Sequence, residues 1–243
     1  MTRSYFHHGL LARRLQRLIF RLLRPAYYRL RFGHSGPAGR IDRWMMASER
    51  RFGAGDAPAA ASDWEDQYRG GRWSYLHGDD EAARYEVIAG FLARLRPGGS
   101  VLDVGCGEAI LRDWLRPLGY AAYVGVDLSE AALAAARRGA EARDCLVAAD
   151  AESYQPDSVF DAIVFNEVLY YLDDPLAAAQ RYARSLADGG VLVISMFDSP
   201  RTRAIARHLA RRLRRREAVR LRQPRGAWTV TVYDAAPAAA AAP

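Results

Sequence analysis

The sequence contains no lysine and only two cysteines among its 243 residues. The side chains that carry a permanent positive charge are therefore all arginines, a usage that we attribute to GC-rich coding rather than to function. Cys106 and Cys145 lie far apart and form neither a disulfide framework nor a metal-ligand pattern. We therefore predict no metal site and a reducing, cytoplasmic environment. No run of 18 apolar residues is present, so we predict no membrane-spanning helix.

Charge divides the chain into an acidic body and two basic flanks. Residues 1–62 hold 12 arginines against three acidic residues, and residues 201–225 hold 11 against one. Residues 63–200 hold 12 arginines against 23 acidic residues. We predict three regions: a basic helix with a linker rich in glycine, alanine and proline over 1–62, one α/β domain over 63–234, and a disordered tail over 235–243.

Leu10 to Arg24 has the period of an amphipathic helix that ends at Pro25. The apolar face contains Leu11, Leu15, Leu18, Ile19 and Leu22, and the opposite face contains Arg13, Arg17, Arg21 and Arg24. Such a helix is typical of binding to an anionic membrane surface. Packing on the domain or on a partner explains the pattern equally well. Nucleic-acid contact is the weakest alternative, because no nucleic-acid-binding motif accompanies the charge.

The second basic flank predicts a helix over Thr202 to Arg216, with Ile205, Leu209 and Leu213 on one face. Two strands follow, Ala218 to Arg222 and Trp228 to Tyr233.

A glycine-rich turn follows a short apolar strand in S-V-L-D-V-G-C-G-E-A, Ser100 to Ala109. Backbone N–H groups at such a turn and the dipole of the next helix attract polar ligands. Asp127 ends a second strand 22 residues after Gly105. That spacing places its carboxylate beside the first strand, where it can accept hydrogen bonds from ribose hydroxyls. Three more strands follow, and Asp150 and Asn166-Glu167 end two of them.

In this order the motifs resemble the class I S-adenosylmethionine-dependent methyltransferases. The resemblance runs from about Tyr85 to Tyr233 through V-L-D-V-G-C-G-E-A (101–109), Y-V-G-V-D-L-S (123–129), A-A-D-A-E-S (148–153), F-D-A-I-V-F-N-E-V-L-Y-Y-L (160–172) and G-G-V-L-V-I-S (189–195). It implies a Rossmann-like, doubly wound α/β fold with a seven-stranded, mostly parallel sheet whose last strand is antiparallel.

The resemblance also implies roles in binding S-adenosyl-L-methionine. Asp103 would hold the amino group, and Gly105, Cys106 and Gly107 would pass the methionine and ribose. Asp127 would bind the ribose hydroxyls, and Leu128 would pack on the adenine. Asp150 and the Ala151 N–H would contact the adenine edge, and the backbone around Asn166 would line the methionine end.

Ala109 stands where the family usually has a third glycine. We expect this to cost little, since alanine is tolerated in the first turn of a helix. A nicotinamide dinucleotide is the rival cofactor. Its fingerprint needs a glycine where this chain has Ile110, and it leaves Asp103 and Asp150 without a role.

The sequence gives fewer indications of the residues that would bind the methyl acceptor. Glu167 and His77 are candidate bases, and Tyr75, Tyr170 and Tyr171 are candidate pocket walls. Arg84 or Arg69 is a candidate partner for the cofactor carboxylate. Ordinary structural roles, in helix packing or a turn, explain these residues as well.

We therefore predict methyl transfer to oxygen or nitrogen of a small-molecule, sugar or lipid-linked acceptor, by a protein that is cytoplasmic and peripheral to the membrane. Two alternatives stay open: an RNA methyltransferase that uses the basic flanks, and a catalytically weak, methyltransferase-like membrane adaptor.

Overall fold

A computed structural model describes residues 15–24, 26–28, 41, 44, 45, 48, 61–223 and 226–237. Its centre is a seven-stranded sheet whose strands follow the chain as β1 to β7. Their bounds are Val101–Val104, Tyr123–Asp127, Asp144–Ala148, Phe160–Asn166, Leu186–Phe197, Leu213–Gln223 and Gly226–Pro237. The last strand extends three residues into the tail predicted from 235.

The strand order is β3-β2-β1-β4-β5-β7-β6. Neighbours from β3 to β5 are parallel, whereas β7 is antiparallel to both β5 and β6. This confirms the predicted Rossmann-like sheet. The chain order reverses at β1, between β2 and β4, and crevices at such a point in an open α/β sheet bind ligands. Asp103 near the end of β1, Asp127 at the end of β2 and Asn166 at the end of β4 therefore lie at one edge.

Helices cover the two faces of the sheet. In chain order, α1 to α6 are Ala61–Arg69, Asp79–Leu95, Ile110–Leu115, Glu130–Arg137, Pro175–Ala183 and Pro200–Leu209. Short 3₁₀ turns lie at Ser74–His77, Arg116–Leu118 and Leu169–Tyr171. Apolar clusters fill both faces of the sheet, because β4 and β5 are buried on both sides.

The predicted helix over Thr202 to Arg216 is wrong in its second half. Helix α6 begins at Pro200, after a capping box made by Ser199 and Thr202, and ends at Leu209. Leu213 then begins β6, whose backbone pairs with β7. Pairing along this edge of the sheet overrides the helical spacing of Leu213 with Leu209.

Residues 15–24 form a helix, as predicted, and residues 26–28 are also helical. Leu10 to Arg14, Pro25, most of the predicted linker and residues 238–243 lie outside the described residues. Arg207 of α6 donates from Nη2 to the carbonyl oxygen of Tyr28 over 3.4 Å, so this segment contacts the domain. In the described part of the chain, no helix is long and apolar enough to cross a membrane.

Candidate functional site

A cavity of about 1040 Å³ lies at the carboxyl edge of the sheet. Its floor is the glycine turn after β1 and the ends of β2 and β4. Its other walls come from α1, residues 72–76, the first part of α2 and the loop after β4. This volume is at the upper end of the range for small-ligand pockets, about 300–1,000 Å³, so it has room for a ligand of nucleoside size and a second molecule.

The glycine turn requires residues without a side chain at two positions. Gly105 and Gly107 have φ angles of 71° and 54°, in the region that glycine adopts without strain. A Cβ on Gly105 would collide with Val168, and one on Gly107 would lie 2.5 Å from the hydroxyl of Tyr68. The glycine turn is therefore in close contact with Val168, in the loop after β4, and with Tyr68 of α1.

The sequence predicted that Ala109 lies in the first turn of a helix. In the structure it lies just before α3. It is the fully buried N-cap residue and has a left-handed backbone with φ of 58°. A Cβ in that conformation costs roughly 1–2 kcal/mol, so alanine at the third glycine position carries strain. Ile110 begins α3 and lines the cavity.

Asp127 is held by two backbone donors at the end of β2. Gly107 N donates to Oδ2 over 2.8 Å and Ser129 N donates to Oδ1 over 2.9 Å. Burial raises the pKa of this carboxyl, and the surrounding backbone N–H groups oppose the rise. Ser129 caps α4 through its own hydroxyl, as its Oγ accepts from Ala132 N. The Asp127 carboxylate is thus fixed against the glycine turn with its remaining lone pairs available to a ligand.

Asp103, at the centre of β1, has one satisfied and one unsatisfied oxygen. Tyr123 donates its hydroxyl to Oδ2 over 2.7 Å, whereas Oδ1 is buried with no partner among the described residues. Burial raises the pKa of Asp103 to about 7. Asn166 Oδ1 and Trp73 Nε1 are likewise buried without a partner, and all three residues line the cavity. A buried polar atom is stabilised by a hydrogen-bond partner, so these three atoms on the cavity wall suit a ligand with amino and hydroxyl groups.

The remaining predicted cofactor residues also line the cavity. They are Cys106, Leu128, Asp150 and Ala151. Leu128 is 39% exposed, which leaves a face open for stacking. Burial raises the pKa of the Cys106 thiol well above its usual range, which disfavours the reactive thiolate form. The structure brings the whole predicted set together, while their contacts with a ligand stay a prediction.

Glu167 is the most constrained acid of the site. Its backbone is left-handed, with φ of 63°, which is strained for this residue type. Ser195 Oγ donates to Oε1, and Tyr170 OH and Phe197 N donate to Oε2, over 2.8 to 3.0 Å. Burial raises the pKa of Glu167, and the Arg84 charge and these donors oppose the rise. A carboxylate fixed in this way can receive a proton at a defined position.

An aromatic cluster roofs the cavity. Its members are Trp64, Tyr68, Trp73, Tyr75 and Tyr171. The Trp64 ring stacks on Trp73 at 5.7 Å and meets the edge of Tyr171 at 4.8 Å. Tyr75 and Tyr171 were predicted as pocket walls, and Tyr170 lies beside them. Trp64, Tyr68 and Trp73 were not predicted individually, although the density of aromatic residues before the first strand was a usable signal.

Two polar side chains, Glu65 and His77, connect the segment that forms the roof to the rest of the domain. Glu65 of α1 accepts from Ser129 Oγ over 2.7 Å and from Ala131 N over 3.2 Å, at the N-terminus of α4. His77 Nε2 lies 2.6 Å from Glu108 Oε2 in the glycine turn. His77 is not among the described residues that line the cavity, so its contact is an anchor, and its proposed role as a base stays untested.

Arg84 and Arg69, the candidate partners for the cofactor carboxylate, lie in different environments. Arg84 is buried, pairs with Glu81 over 2.8 Å and lines the cavity. Arg69 is largely exposed, pairs with Glu65 over 2.8 Å and does not line the cavity.

The cavity is strongly acidic. Nine acidic residues line it against two arginines, Arg72 and Arg84. The acidic residues are Asp63, Glu81, Asp103, Glu108, Asp127, Asp150, Glu152, Glu167 and Asp173. A concave surface of one charge sign concentrates ligands of the opposite sign. This electrostatic field favours a cationic ligand and opposes a polyphosphate.

A family model described as a methyltransferase domain matches residues 75–238, most of the chain. The chain belongs to the class I methyltransferase family. A ubiquinone biosynthesis O-methyltransferase from Alkalilimnicola ehrlichii is 35% identical over 147 residues, which cover 58% of this chain. The same match covers 57% of that relative, so the similarity concerns little more than half of it.

Solved methyltransferases share the fold. The N-methyltransferase NodS from Bradyrhizobium japonicum, in complex with S-adenosyl-L-homocysteine, superposes with a TM-score of 0.59 at 22% identity, over 67% of this chain and 90% of that one. Magnesium protoporphyrin IX methyltransferase from Synechocystis, with bound S-adenosylmethionine, gives 0.60 at 18% identity, over 72% and 96%. Helix α1, with Trp64, Glu65 and Tyr68, precedes the segment that the methyltransferase family model matches.

Proposed function

We propose that this methyltransferase domain binds S-adenosyl-L-methionine and transfers its methyl group to an oxygen or nitrogen atom of a small-molecule acceptor. The observation that carries this proposal is the Asp127 carboxylate, held against the glycine turn by Gly107 N and Ser129 N at the end of β2. A fixed carboxylate in this place can accept both hydroxyls of a ribose.

The cofactor supplies a methyl group on a positively charged sulfur, and its leaving group is neutral. The chain's residues therefore have to bind, orient and exclude water. In this proposal the unpartnered Asp103 Oδ1 receives the ammonium group, and the acidic cavity attracts the cation. The aromatic roof excludes water, and Glu167 takes a proton if the acceptor is a hydroxyl or a protonated amine.

We propose a sugar or lipid-linked intermediate as the acceptor. The relative from Alkalilimnicola ehrlichii is named an O-methyltransferase of ubiquinone biosynthesis, and the aromatic lining of the present cavity suits a compact organic acceptor. The RNA alternative is disfavoured, because nine acidic residues beside two arginines repel a phosphate backbone at the reacting end. The adaptor alternative is disfavoured by the unsatisfied polar atoms on the cavity wall, which suit a ligand.

Labelled methyl transfer should identify the acceptor class. The full chain is incubated with S-adenosylmethionine labelled in its methyl group and with three fractions of a cell extract: water-soluble metabolites, solvent-extracted lipids and total RNA. We expect label in the metabolite or the lipid fraction, and the Asp127→Ala variant should transfer none. Label confined to RNA contradicts the acceptor proposal, and cofactor binding with no transfer to any fraction supports the adaptor.

Cofactor binding should release a proton near neutral pH. The raised pKa of Asp103, about 7, means that this carboxyl is mostly protonated at pH 6 in the ligand-free protein. A bound ammonium group lowers that pKa, so affinity should fall as the pH drops below 7, by up to about tenfold per unit. Calorimetry at pH 6 in two buffers of different ionisation enthalpy measures the released proton.

The Asp103→Asn variant supplies the control for this linkage. It should bind more weakly at pH 8 and release no proton at pH 6, since asparagine has no titrating carboxyl. Binding by the unsubstituted protein that is independent of both buffer and pH would show that Asp103 does not contact the amino group.

A further inference from the structure

The N-terminal helix, residues 15–24, turns its leucine face to the outside of the molecule. The exposed fractions of five apolar side chains on this helix range from 39% to 69%. They are Leu15, Leu18, Ile19, Leu22 and Leu23. Phe20, on a different face, is only 1% exposed. A helix that docked on the domain through its apolar stripe would bury that stripe, whereas this helix leaves its apolar stripe exposed to solvent.

Exposed arginines accompany the leucine face. Arg17 and Arg21 are exposed on the helix itself. The contact of Arg207 with the Tyr28 carbonyl joins this segment to α6, which is 179 residues further along the chain. Tyr28 and Arg207, one from each basic flank, are thereby neighbours in space, although the acidic body separates them in sequence.

Arginines of α6 and β6 share a small number of carboxylates. Asp198 pairs with both Arg203, at 2.9 Å, and Arg220, at 2.5 Å. Asp234 pairs with both Arg214, at 2.8 Å, and Arg216, at 3.7 Å. Glu217 Oε1 also lies 3.9 Å from Arg216 Nε, so three carboxylates face these four guanidinium groups. Over α6, β6 and β7 the arginines still outnumber the acidic residues.

We infer that the leucine face of the N-terminal helix, together with Arg17 and Arg21 on the same helix, docks on an anionic phospholipid surface. Apolar side chains insert between headgroups while arginines at the same level bind lipid phosphates. A second copy of this chain would bring like charges together. A nucleic acid would use the arginines and leave the leucines in water. This inference is independent of the proposed methyl transfer.

Vesicle flotation of the full chain tests the inference. We expect the protein to float with vesicles that contain phosphatidylglycerol and to stay unbound with phosphatidylcholine alone. Leu18→Ser/Leu22→Ser changes only exposed side chains and should lower the apparent affinity by more than about tenfold. Arg17→Gln/Arg21→Gln should weaken binding and reduce its sensitivity to salt.

A matched control alters exposed apolar residues elsewhere. Leu118 and Val159 are 50% and 62% exposed on the acidic body, and Leu118→Ser/Val159→Ser should bind vesicles like the unsubstituted protein. The inference is overturned if the protein ignores anionic vesicles or if the leucine variant floats unchanged. It is equally overturned if sedimentation shows a dimer that the leucine variant dissociates, or if RNA is bound while vesicles are not. Calorimetry with S-adenosylmethionine should be unchanged by the leucine variant, which separates this test from that of the proposed function.

Discussion

Replacing Asp127 with alanine is expected to weaken the binding of S-adenosylmethionine at least about a hundredfold. Hydrogen bonds to a charged acceptor contribute about 1.5–3 kcal/mol each, and a ribose offers two of them. The substitution also removes the acceptor for Gly107 N and Ser129 N, so the glycine turn loses the group that fixes it. Isothermal titration calorimetry measures the loss directly.

Two further variants separate ligand binding from turn geometry. Asp127→Asn keeps one acceptor oxygen but loses the charge, so its affinity should lie between those of the alanine variant and the unsubstituted protein. Asp157→Ala removes an exposed carboxylate that does not line the cavity and should leave affinity unchanged. An alanine variant at position 127 that melts normally and binds like the unsubstituted protein would remove the ribose role.

Replacing Glu167 with glutamine is expected to lower kcat by about 10²- to 10⁴-fold, the usual contribution of a general base. Burial raises the pKa of this carboxyl above its ordinary value of 4.5. A base works only when deprotonated, so kcat should fall as the pH drops through that raised pKa. The pH profile of the glutamine variant should lack this acid limb, which stopped-flow or discontinuous transfer assays reveal.

Glu167 also holds Tyr170, Ser195 and the Phe197 backbone, so a purely structural role needs its own readout. If Glu167 only positions these groups, the glutamine variant should lose affinity or melting temperature while the shape of its pH profile persists. Glu130→Gln changes an exposed acid that does not line the cavity, and it should match the unsubstituted protein in kcat and in pH profile.

The sequence predicted the sheet and its ligand edge well, for local reasons. Apolar runs that end in Asp or Asn mark buried parallel strands, and the spacing from Gly105 to Asp127 is that of a single crossover. The prediction was weaker where backbone pairing decides the structure. Leu213 has helical spacing from Leu209, but its neighbours pair with β7 at the edge of the sheet.

The roof of the cavity could be predicted only as a region. The bond from Glu65 to Ser129 joins residues 64 positions apart, and nothing in the local pattern of either residue announces it. Ala109 illustrates the same limit, since its left-handed backbone is imposed by the packing of the turn rather than by alanine. The outward leucine face of the N-terminal helix is a third case. A helical period shows which residues share a face, and only the structure shows which way that face points.

The hydrogen bonds that Glu65 accepts at the start of α4 connect the roof of the cavity with the first turn of that helix. When α1 lifts away from the cavity, Glu65 leaves Ser129 Oγ and Ala131 N, and the first turn of α4 gives up an acidic side chain that favours its positive end. Ser129 directly follows the Asp127-Leu128 pair that faces the cavity, so the loosened turn borders the bound nucleoside. We therefore expect the roof and the ribose side of the site to loosen together when a ligand leaves. We also expect the cap at the start of α4 to contribute to the residence time of that ligand.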